Sequence, residues 1–260
     1  MSQKLENAKR LYMEGIRDGN AREAVTKYTG DRYTQHSAGV RDGVEGFVEF
    51  FEPFLARNPV RDVRVVRAFE DGQYAFVHVF QSLNHGESTW VTMDLFDTDS
   101  NDKIIEHWDV ISEYVDKTVS GHSMISGPSE VTDVDSTQKN KALVRQFLVD
   151  VLQNGNLEKI GAYISTESYT QHSPKVAGGI DGTVAFITAR AEQGGAIRYE
   201  EVFKVIGQGN FVVSLSKVSM GEKNMAVFDV FRLANGRIVE HWDAIEEIAP
   251  AEEWVNSGKF

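Results

Sequence analysis

The chain has 260 residues, 41% of them hydrophobic, and a formal net charge of −12 from 27 basic and 39 acidic side chains. No Lys/Arg cluster interrupts this acidic field, so nucleic acid and anionic membrane surfaces are not expected as partners. The sequence contains no cysteine, which excludes disulfides, thiolate nucleophiles and Cys-ligated metals. The charged segment 1–12 has no apolar leader-like run, and no later stretch is long enough to span a membrane, so we expect a cytoplasmic protein.

Two short motifs each occur twice. YTQHS stands at 33–37 and again at 169–173, an offset of 136 residues, and EHWD stands at 106–109 and again at 240–243, an offset of 134. Two motifs repeated in the same order at nearly one offset indicate internal duplication. The Ser-, Thr-, Asp- and Gly-rich stretch between the copies is typical of an exposed linker. The predicted organisation is a first domain at 1–116, a linker at 117–138 and a second domain at 139–260.

Each half begins with a helical pattern. Apolar residues recur at helical spacing over 8–16 and again over 143–152, and Gly19 and Gly155 follow as expected left-handed caps. A second helix is expected before each YTQHS motif, and a third after it.

The hydrophobic period then changes to two, which is typical of strands. The candidate strands are 61–69, 73–81, 88–96 and 103–111 in the first half, and 198–206, 210–218, 224–233 and 237–245 in the second. Helices followed by consecutive strands with short turns predict an α+β fold, in which an antiparallel sheet curves over the helices and encloses a pocket.

Several motifs in this order resemble a known family. YTQHS follows the second helix, and D-[LV]-F with [KR]-I-[IV]-E-H-W-D crosses the last two strands of both halves. This pattern is similar to the SnoaL-like polyketide cyclases of the NTF2-like (ketosteroid-isomerase-like) superfamily. The resemblance implies two tandem cone-shaped α+β barrels. It also implies a cofactor-free acid–base enzyme that abstracts a proton next to a carbonyl, followed by aldol-type cyclisation or isomerisation of a small apolar, polyketide-like substrate.

Strand alternation groups the candidate acid–base residues on one face of each predicted sheet. They are Asp94, His107 and Asp109 in the first half and Asp229, His241 and Asp243 in the second. Burial in an apolar stripe raises the pKa of an aspartate, and a neighbouring histidine can exchange a proton with it near neutral pH. Either aspartate of a half can be the base. The alternative is a buried hydrogen bond that fixes strand register.

The YTQHS motif supplies a second group, expected at the end of the second helix or just after it: Tyr33, Gln35 and His36, matched by Tyr169, Gln171 and His172. Their hydroxyl and imidazole groups are candidates to stabilise an enolate oxygen at the pocket mouth, with Tyr33 and His36 in that role. The alternative is that they cap the helix and tie the loop to the sheet.

Three further residues are candidate substrate contacts in the first half: His78, Trp90 and Phe96. His78 shares a face with aromatic residues where the second half has Leu215, and if His78 is functional, the first pocket is the more polar one and the expected active site. A tolerated core histidine is the alternative. His36, His107 and Asp109 could form a two-His-one-carboxylate set, but their spacing has no metal-specific signature, and we expect neither a metal nor a cofactor.

Trp108 and Trp242 face away from the His–Asp pairs, where two sheets could pack, and this predicts an intrachain pseudo-twofold dimer. The rival to an enzyme is a non-catalytic module that binds a small apolar ligand or mediates assembly, because one scaffold of this kind hosts many functions.

Overall fold

The structure is a computed structural model that describes residues 2–260. It divides into two units. Unit 1 contains the chain up to Tyr114 together with Ala249–Phe260, and unit 2 contains Val115–Ile248. No helix among the described residues is long and apolar enough to cross a membrane.

Unit 1 places three helical regions before four long strands. Its elements in chain order are α1 (Gln3–Arg10), a π-helical continuation (Leu11–Arg17), α2 (Ala21–Tyr28), β1 (Thr29–Gln35), α3 (Gly43–Arg57), β2 (Arg61–Asp71), β3 (Tyr74–Leu83), β4 (Ser88–Thr98) and β5 (Ile104–Glu113). The sheet order is β1-β5-β4-β3-β2. Strands β2 to β5 pair antiparallel, whereas β1 pairs parallel with β5 at the edge.

Unit 2 repeats this plan. Its elements are α4 (Thr137–Phe147), a π-helical continuation (Leu148–Gln153), a 3₁₀ segment (Leu157–Ala162), β6 (Thr170–Gln171), α5 (Gly179–Glu192), β7 (Ile197–Gln208), β8 (Phe211–Met220), β9 (Lys223–Ala234) and β10 (Arg237–Glu247). The sheet order is β6-β10-β9-β8-β7, again with one parallel edge pair, β6 with β10. The α+β class is confirmed, and each of the eight predicted strands lies within or overlaps one of the long strands.

The first helix of each half ends where the sequence predicted. Gly19 and Gly155 have φ of 85° and 72°, in the left-handed region that glycine adopts without steric cost. In unit 1 the helices then pack on one face of the sheet. Val25, Val77 and Val79 have no exposed surface there, and each fully buried valine contributes about 1.5–3 kcal/mol through the hydrophobic effect.

The YTQHS motif is the main local difference from expectation. It lies after the second helical region, which was one of the two expected placements, but residues 33–35 belong to β1 and residues 170–171 form β6, and neither strand was predicted. Gln35 pairs with His107 as Gln171 pairs with His241. The burial of β1 does not alternate regularly along the strand, so no period-two pattern marks it in the sequence. In the second half, the helix expected before the motif is a 3₁₀ segment.

The segments that follow the last strands also differ from the expected boundaries. Residues 249–260 belong to unit 1, where Asn256 Nδ2 donates to the carbonyls of Ser37 (2.7 Å) and Val40 (2.8 Å). The stretch expected to be an exposed linker belongs to unit 2, where Met124 is buried. The segment after the last strand of the second half therefore belongs to unit 1, and the segment after the last strand of the first half belongs to unit 2.

The start of α3 and of α5 depends on a close backbone approach. A Cβ atom on Gly46 would lie 2.2 Å from the carbonyl oxygen of Arg41, and one on Gly182 would lie 2.4 Å from that of Ala177. Gly46→Ala and Gly182→Ala are each expected to destabilise the protein by about 1–3 kcal/mol, as overpacking does. Urea denaturation measures this. Gly39→Ala, which meets nothing within 4 Å, is the matched control, and equal stability of all three variants would contradict the expectation.

Candidate functional site

Unit 1 contains a cavity of about 310 Å³ between its helices and the sheet. Its apolar lining residues are Leu11, Ile16, Val40, Phe47, Phe50, Phe51, Phe54, Trp90, Phe96 and Ile111. Phe50 and Ile111 are 41% and 40% exposed, so they mark its mouth. A cavity of this size, lined mainly by apolar side chains with few polar groups, is typical of a small-molecule site.

Helix α3 supplies an aromatic wall. The rings of Phe47 and Phe51 stack with centroids 4.2 Å apart, and the ring of Phe54 lies 6.4 Å from that of Trp90 across the cavity. Such surfaces favour flat ligands, because offset stacking and apolar burial act together on a ring. Trp90 and Phe96, two candidate substrate contacts, both line this cavity.

His107 is held from both sides. Its Nε2 lies 2.9 Å from Asp94 Oδ1 and its Nδ1 lies 2.8 Å from Gln35 Oε1, while its ring stacks on Phe96 with centroids 4.6 Å apart. The short parallel strand β1 brings Gln35 to this position. Both ring nitrogens are therefore engaged within the protein, and His107 presents to the cavity a ring whose orientation is fixed.

Asp94 is fully buried behind His107. The hydroxyl of Tyr12 donates to its Oδ1 at 2.7 Å. Burial raises the pKa of Asp94 above its usual value, although the hydrogen bonds from His107 and Tyr12 act in the opposite direction. The sequence analysis did not identify Tyr12, which lies in the π-helical continuation of α1 and looked like part of an apolar helix face. π-Helical turns are frequent at functional sites, but sequence periodicity does not reveal them.

Asp109 is the carboxylate that lines the cavity. Its Oδ1 lies 2.9 Å from Lys259 Nζ, and the Ser37 hydroxyl also bonds it. Burial alone would raise the pKa of Asp109, but the charge of Lys259, followed by that of His107, outweighs burial and holds the pKa below its usual value. Sequence analysis missed Lys259, since nothing in a charged C-terminal segment signals burial.

Tyr33 lines the same cavity. Its hydroxyl is buried and has no hydrogen-bond partner of normal geometry among the described residues. Burial, and then the charges of Asp94 and Asp109, raise the pKa of Tyr33, so its hydroxyl stays protonated at neutral pH. Its hydroxyl can therefore donate a hydrogen bond to a ligand in the cavity that Asp109 also lines.

His36 is not brought to the cavity. Its Nε2 lies 2.9 Å from Glu106 Oε1, and its ring stacks on Trp108 with centroids 4.9 Å apart. Glu106 and Trp108 lie on the face of β5 opposite His107 and Asp109, because successive strand residues alternate. This geometry corrects the enolate-binding role expected of His36 and separates it from the other members of the two-His-one-carboxylate set.

His78 is also placed away from the cavity. It lies on the face of β3 opposite Val77 and Val79, with its Nδ1 3.2 Å from an Arg67 nitrogen. The substrate contact expected of His78 is thereby corrected as well. Among the described residues, no group of three or more His, Asp or Glu side chains is arranged to hold a metal ion.

Unit 2 repeats the Gln–His–Asp hydrogen bonds of unit 1, but the tyrosine that bonds the aspartate comes from a different element. His241 Nε2 lies 3.0 Å from Asp229 Oδ1 and its Nδ1 lies 2.9 Å from Gln171 Oε1. The tyrosine hydroxyl on the aspartate now comes from Tyr199 of β7, 3.0 Å from Asp229 Oδ2. Gln171 Nε2 also donates to the hydroxyl of Tyr169 at 3.2 Å.

In unit 2 the contacts of His172 match those of His36 in unit 1, whereas the contacts of Asp243 differ from those of Asp109. His172 repeats the role of His36, with its Nε2 2.9 Å from Glu240 Oε1 and its ring stacked on Trp242. Asp243, by contrast, has no counterpart of Lys259. Burial raises its pKa, although the charge of His241 opposes this, and its Oδ1 has no hydrogen-bond partner among the described residues.

Comparison with known proteins decides the family. The model of the SnoaL-like domain matches residues 9–107 and, a second time, residues 144–241. The chain belongs to the SnoaL-like domain family. The resemblance seen in the sequence is confirmed, and so is the tandem arrangement of two SnoaL-like domains.

Three similar solved structures each match less than half of this SnoaL-like protein. A proposed ketosteroid isomerase from Kribbella flavida is 16% identical over 44% of this chain and 83% of its own, with a TM-score of 0.38. IdmH, a proposed polyketide cyclase from Streptomyces antibioticus, is 16% identical over 42% and 92%, with a TM-score of 0.36. A proposed polyketide cyclase from Bacillus cereus is 17% identical over 43% and 79%, with a TM-score of 0.38. No curated protein matches the chain.

In the second SnoaL-like domain, the hydrogen bonds around His241 determine which of its ring nitrogens carry a proton. Gln171 Oε1 accepts from the backbone N–H groups of His172 and Ser173, both at 2.9 Å, so the amide oxygen faces His241 and Nδ1 of that ring must donate. Burial would lower the pKa of His241, but the hydrogen bond and charge of Asp229, with the charge of Asp243, raise it above its usual value.

We therefore expect nitrogen-15 NMR to show both ring nitrogens of His241 protonated at pH 6.5. Because the pKa of His241 is higher in the folded than in the unfolded protein, its protonation stabilises the folded state. This stabilisation is complete below the unfolded-state pKa of about 6.5 and is lost as the pH rises through the folded-state pKa. The free energy of unfolding should accordingly fall more between pH 6 and 9 in the natural protein than in His241→Gln. An unprotonated Nδ1 at pH 6.5 would contradict the assignment.

The two equivalent aspartates should differ in their effect on stability. Asp109→Asn removes the carboxylate that pairs with the buried ammonium of Lys259, and breaking a buried ion pair costs about 3–5 kcal/mol. Asp243→Asn removes a group whose ionised form the fold already disfavours, so we expect a change below about 1 kcal/mol. Urea denaturation at pH 7 compares them, and equal losses would show that Lys259 does not depend on Asp109.

Proposed function

We propose that unit 1 is a cofactor-free acid–base catalyst in which Asp109 removes a proton next to a carbonyl group of a flat, apolar substrate. One observation carries this proposal. Asp109 is an ionised carboxylate in the lining of a mainly apolar cavity of about 310 Å³, and the hydroxyl of Tyr33, in the same lining, has no hydrogen-bond acceptor among the described residues. Membership of the SnoaL-like family supports it.

In the proposed reaction, the C–H proton moves to Asp109, and the electron pair of that bond delocalises onto the carbonyl oxygen as an enolate. Tyr33 donates a hydrogen bond to this oxygen, which stabilises the charge where it develops. The enolate carbon then attacks a second carbonyl of the same substrate, and the new alkoxide takes the proton back from Asp109. Return of the proton to a different carbon instead completes an isomerisation. In both cases the base is regenerated.

His107 and Asp94 are positioning residues in this scheme. Asp94 does not line the cavity, and both nitrogens of His107 are occupied, by Asp94 and by Gln35. Their effect on the substrate passes through Asp109, whose pKa the charge of His107 helps to lower. A carboxylate whose pKa lies below its usual value is still an adequate base when the carbon acid is activated by a carbonyl and the oxyanion is stabilised.

A simple ketone tests the proposal without knowledge of the natural substrate. The probe is 2-tetralone, a bicyclic aromatic ketone, and the measurement is exchange of its α-protons for deuterium by NMR. We expect the protein to accelerate exchange, and the double variant Asp109→Asn/Lys259→Met to lose about 10² or more of that acceleration. The double variant removes the base and its cation together, so no charge is left buried alone.

Asp62→Asn, on the exposed side of β2, is the control and should exchange at the natural rate. Binding of 2-tetralone without acceleration of its α-proton exchange would contradict the catalytic proposal. That outcome would favour the non-catalytic reading, in which the aromatic cavity only sequesters a small apolar ligand.

A further inference from the structure

Two equivalent positions in the chain carry residues of different charge. In unit 1, His36 Nδ1 lies 2.7 Å from the carbonyl oxygen of Gly258, and the next residue is Lys259. In unit 2, His172 Nδ1 lies 2.7 Å from the carbonyl oxygen of Ser123, and the next residue is Met124. The segment that contains Gly258 and the segment that contains Ser123 therefore each bond the histidine of a YTQHS motif. At the next position their residue types differ, lysine in unit 1 and methionine in unit 2.

The two side chains are buried but make different contacts. The side chain of Lys259 is 3% exposed, and its ammonium lies 2.9 Å from Asp109 Oδ1. Met124 is 2% exposed, and its sulfur accepts from the backbone N–H of Val115 at 3.2 Å. A buried ammonium is costly unless it is paired, so Lys259 and Asp109 require each other, whereas Met124 places no such demand on unit 2.

We propose that Lys259 is the positioning residue that holds Asp109 as a carboxylate facing the cavity of unit 1, and that Met124 leaves Asp243 of unit 2 as a carboxyl group without a cation. The proposal rests on the proposed function in one respect: it takes Asp109 as the base. It goes further by making the segment 249–260 part of the site and by assigning the two units different chemistry.

The surroundings of the two aspartates are otherwise closely matched. The polar and titratable groups that act on Asp109 include Tyr12, Tyr33, Ser37, Asp94, His107 and Lys259. Those around Asp243 are Tyr169, Ser173, Tyr199, Asp229 and His241. Each set has two tyrosines, one serine, one aspartate and one histidine. The lysine is the member without a counterpart.

The opposite directions of the two pKa values agree with this difference, since the pKa of Asp109 is lowered and that of Asp243 is raised. A carboxylate accepts a proton or a hydrogen bond, whereas a neutral carboxyl group also donates a hydrogen bond. Unit 1 would thus present a base to its ligand. In unit 2, Asp243 would become a hydrogen-bond donor as the pH falls towards its raised pKa, and it would not act as a base.

Carbon-13 NMR titration of the aspartate carboxyl groups tests the proposal in the full chain. Signals of Asp109 and Asp243 are assigned with the corresponding Asn variants. In Lys259→Met, which copies the residue of unit 2, we expect the titration midpoint of Asp109 to rise by about 1–3 pH units. Lys259→Arg should keep the midpoint low, because it keeps the charge. Asp243 is the internal control in the same spectra, and Met124→Lys is expected to lower its midpoint.

An Asp109 midpoint that stays within about 0.3 units of the natural value in folded Lys259→Met would overturn the proposal, since an adjacent cation shifts a carboxyl by a unit or more. This measurement is decisive even if Met124→Lys does not fold.

Exchange of 2-tetralone protons separates this proposal from the proposed function. If Asp109 is the base, the acid limb of the exchange rate should move to higher pH in Lys259→Met together with the Asp109 midpoint. A shifted midpoint in a protein that never accelerates exchange would leave the role of Lys259 standing and remove the catalytic role. Accelerated exchange with an unchanged Asp109 midpoint would support the catalytic proposal and overturn the role of Lys259.

Discussion

The parallel pairing of β1 with β5 is the interaction on which the site depends. It engages two repeated motifs on both faces of one strand. On the cavity face Gln35 bonds His107, and on the other face His36 bonds Glu106 and stacks on Trp108. Because side chains alternate along a strand, consecutive residues of YTQHS meet consecutive residues of EHWD on opposite faces. A one-residue slip would exchange every one of these contacts.

This pairing positions His107, and His107 in turn positions Asp94. His107 bridges from Gln35 to the fully buried Asp94, and Asp109 lies two residues further along the same strand. Hydrogen bonds within a buried polar network lower the cost of burying its charged members, and a tyrosine hydroxyl donates to the buried aspartate of each unit. Tyr12 does so from a helix in unit 1, and Tyr199 does so from a strand in unit 2. The contact is retained while its source differs.

Around this shared centre the two halves have diverged in composition. Helix α3 presents Phe47, Phe51 and Phe54 to the cavity, whereas α5 has Thr183, Ile187 and Arg190 at the offset of the YTQHS motif, and none of the residues of α5 is buried. The aromatic wall and the buried cation both belong to unit 1. A buried ion pair contributes little net stability, since desolvation offsets attraction. The pair of Lys259 with Asp109 is therefore better explained by the charge it gives the cavity than by folding.

The sequence by itself determined the duplication, the α+β class, the eight long strands and the face shared by His107 and Asp109. These follow from repeated letters and from periods of two and 3.6, which are local properties of the chain. Only the tertiary structure decided that Gln35 lies in a strand, that His36 and His78 face away from the cavity, and that Tyr12 and Lys259 complete it. Those placements depend on contacts between residues far apart in the chain, 150 positions for Lys259 and Asp109. No local period encodes which distant segment will cover a site, because that choice is made by packing and by the pairing of buried charge.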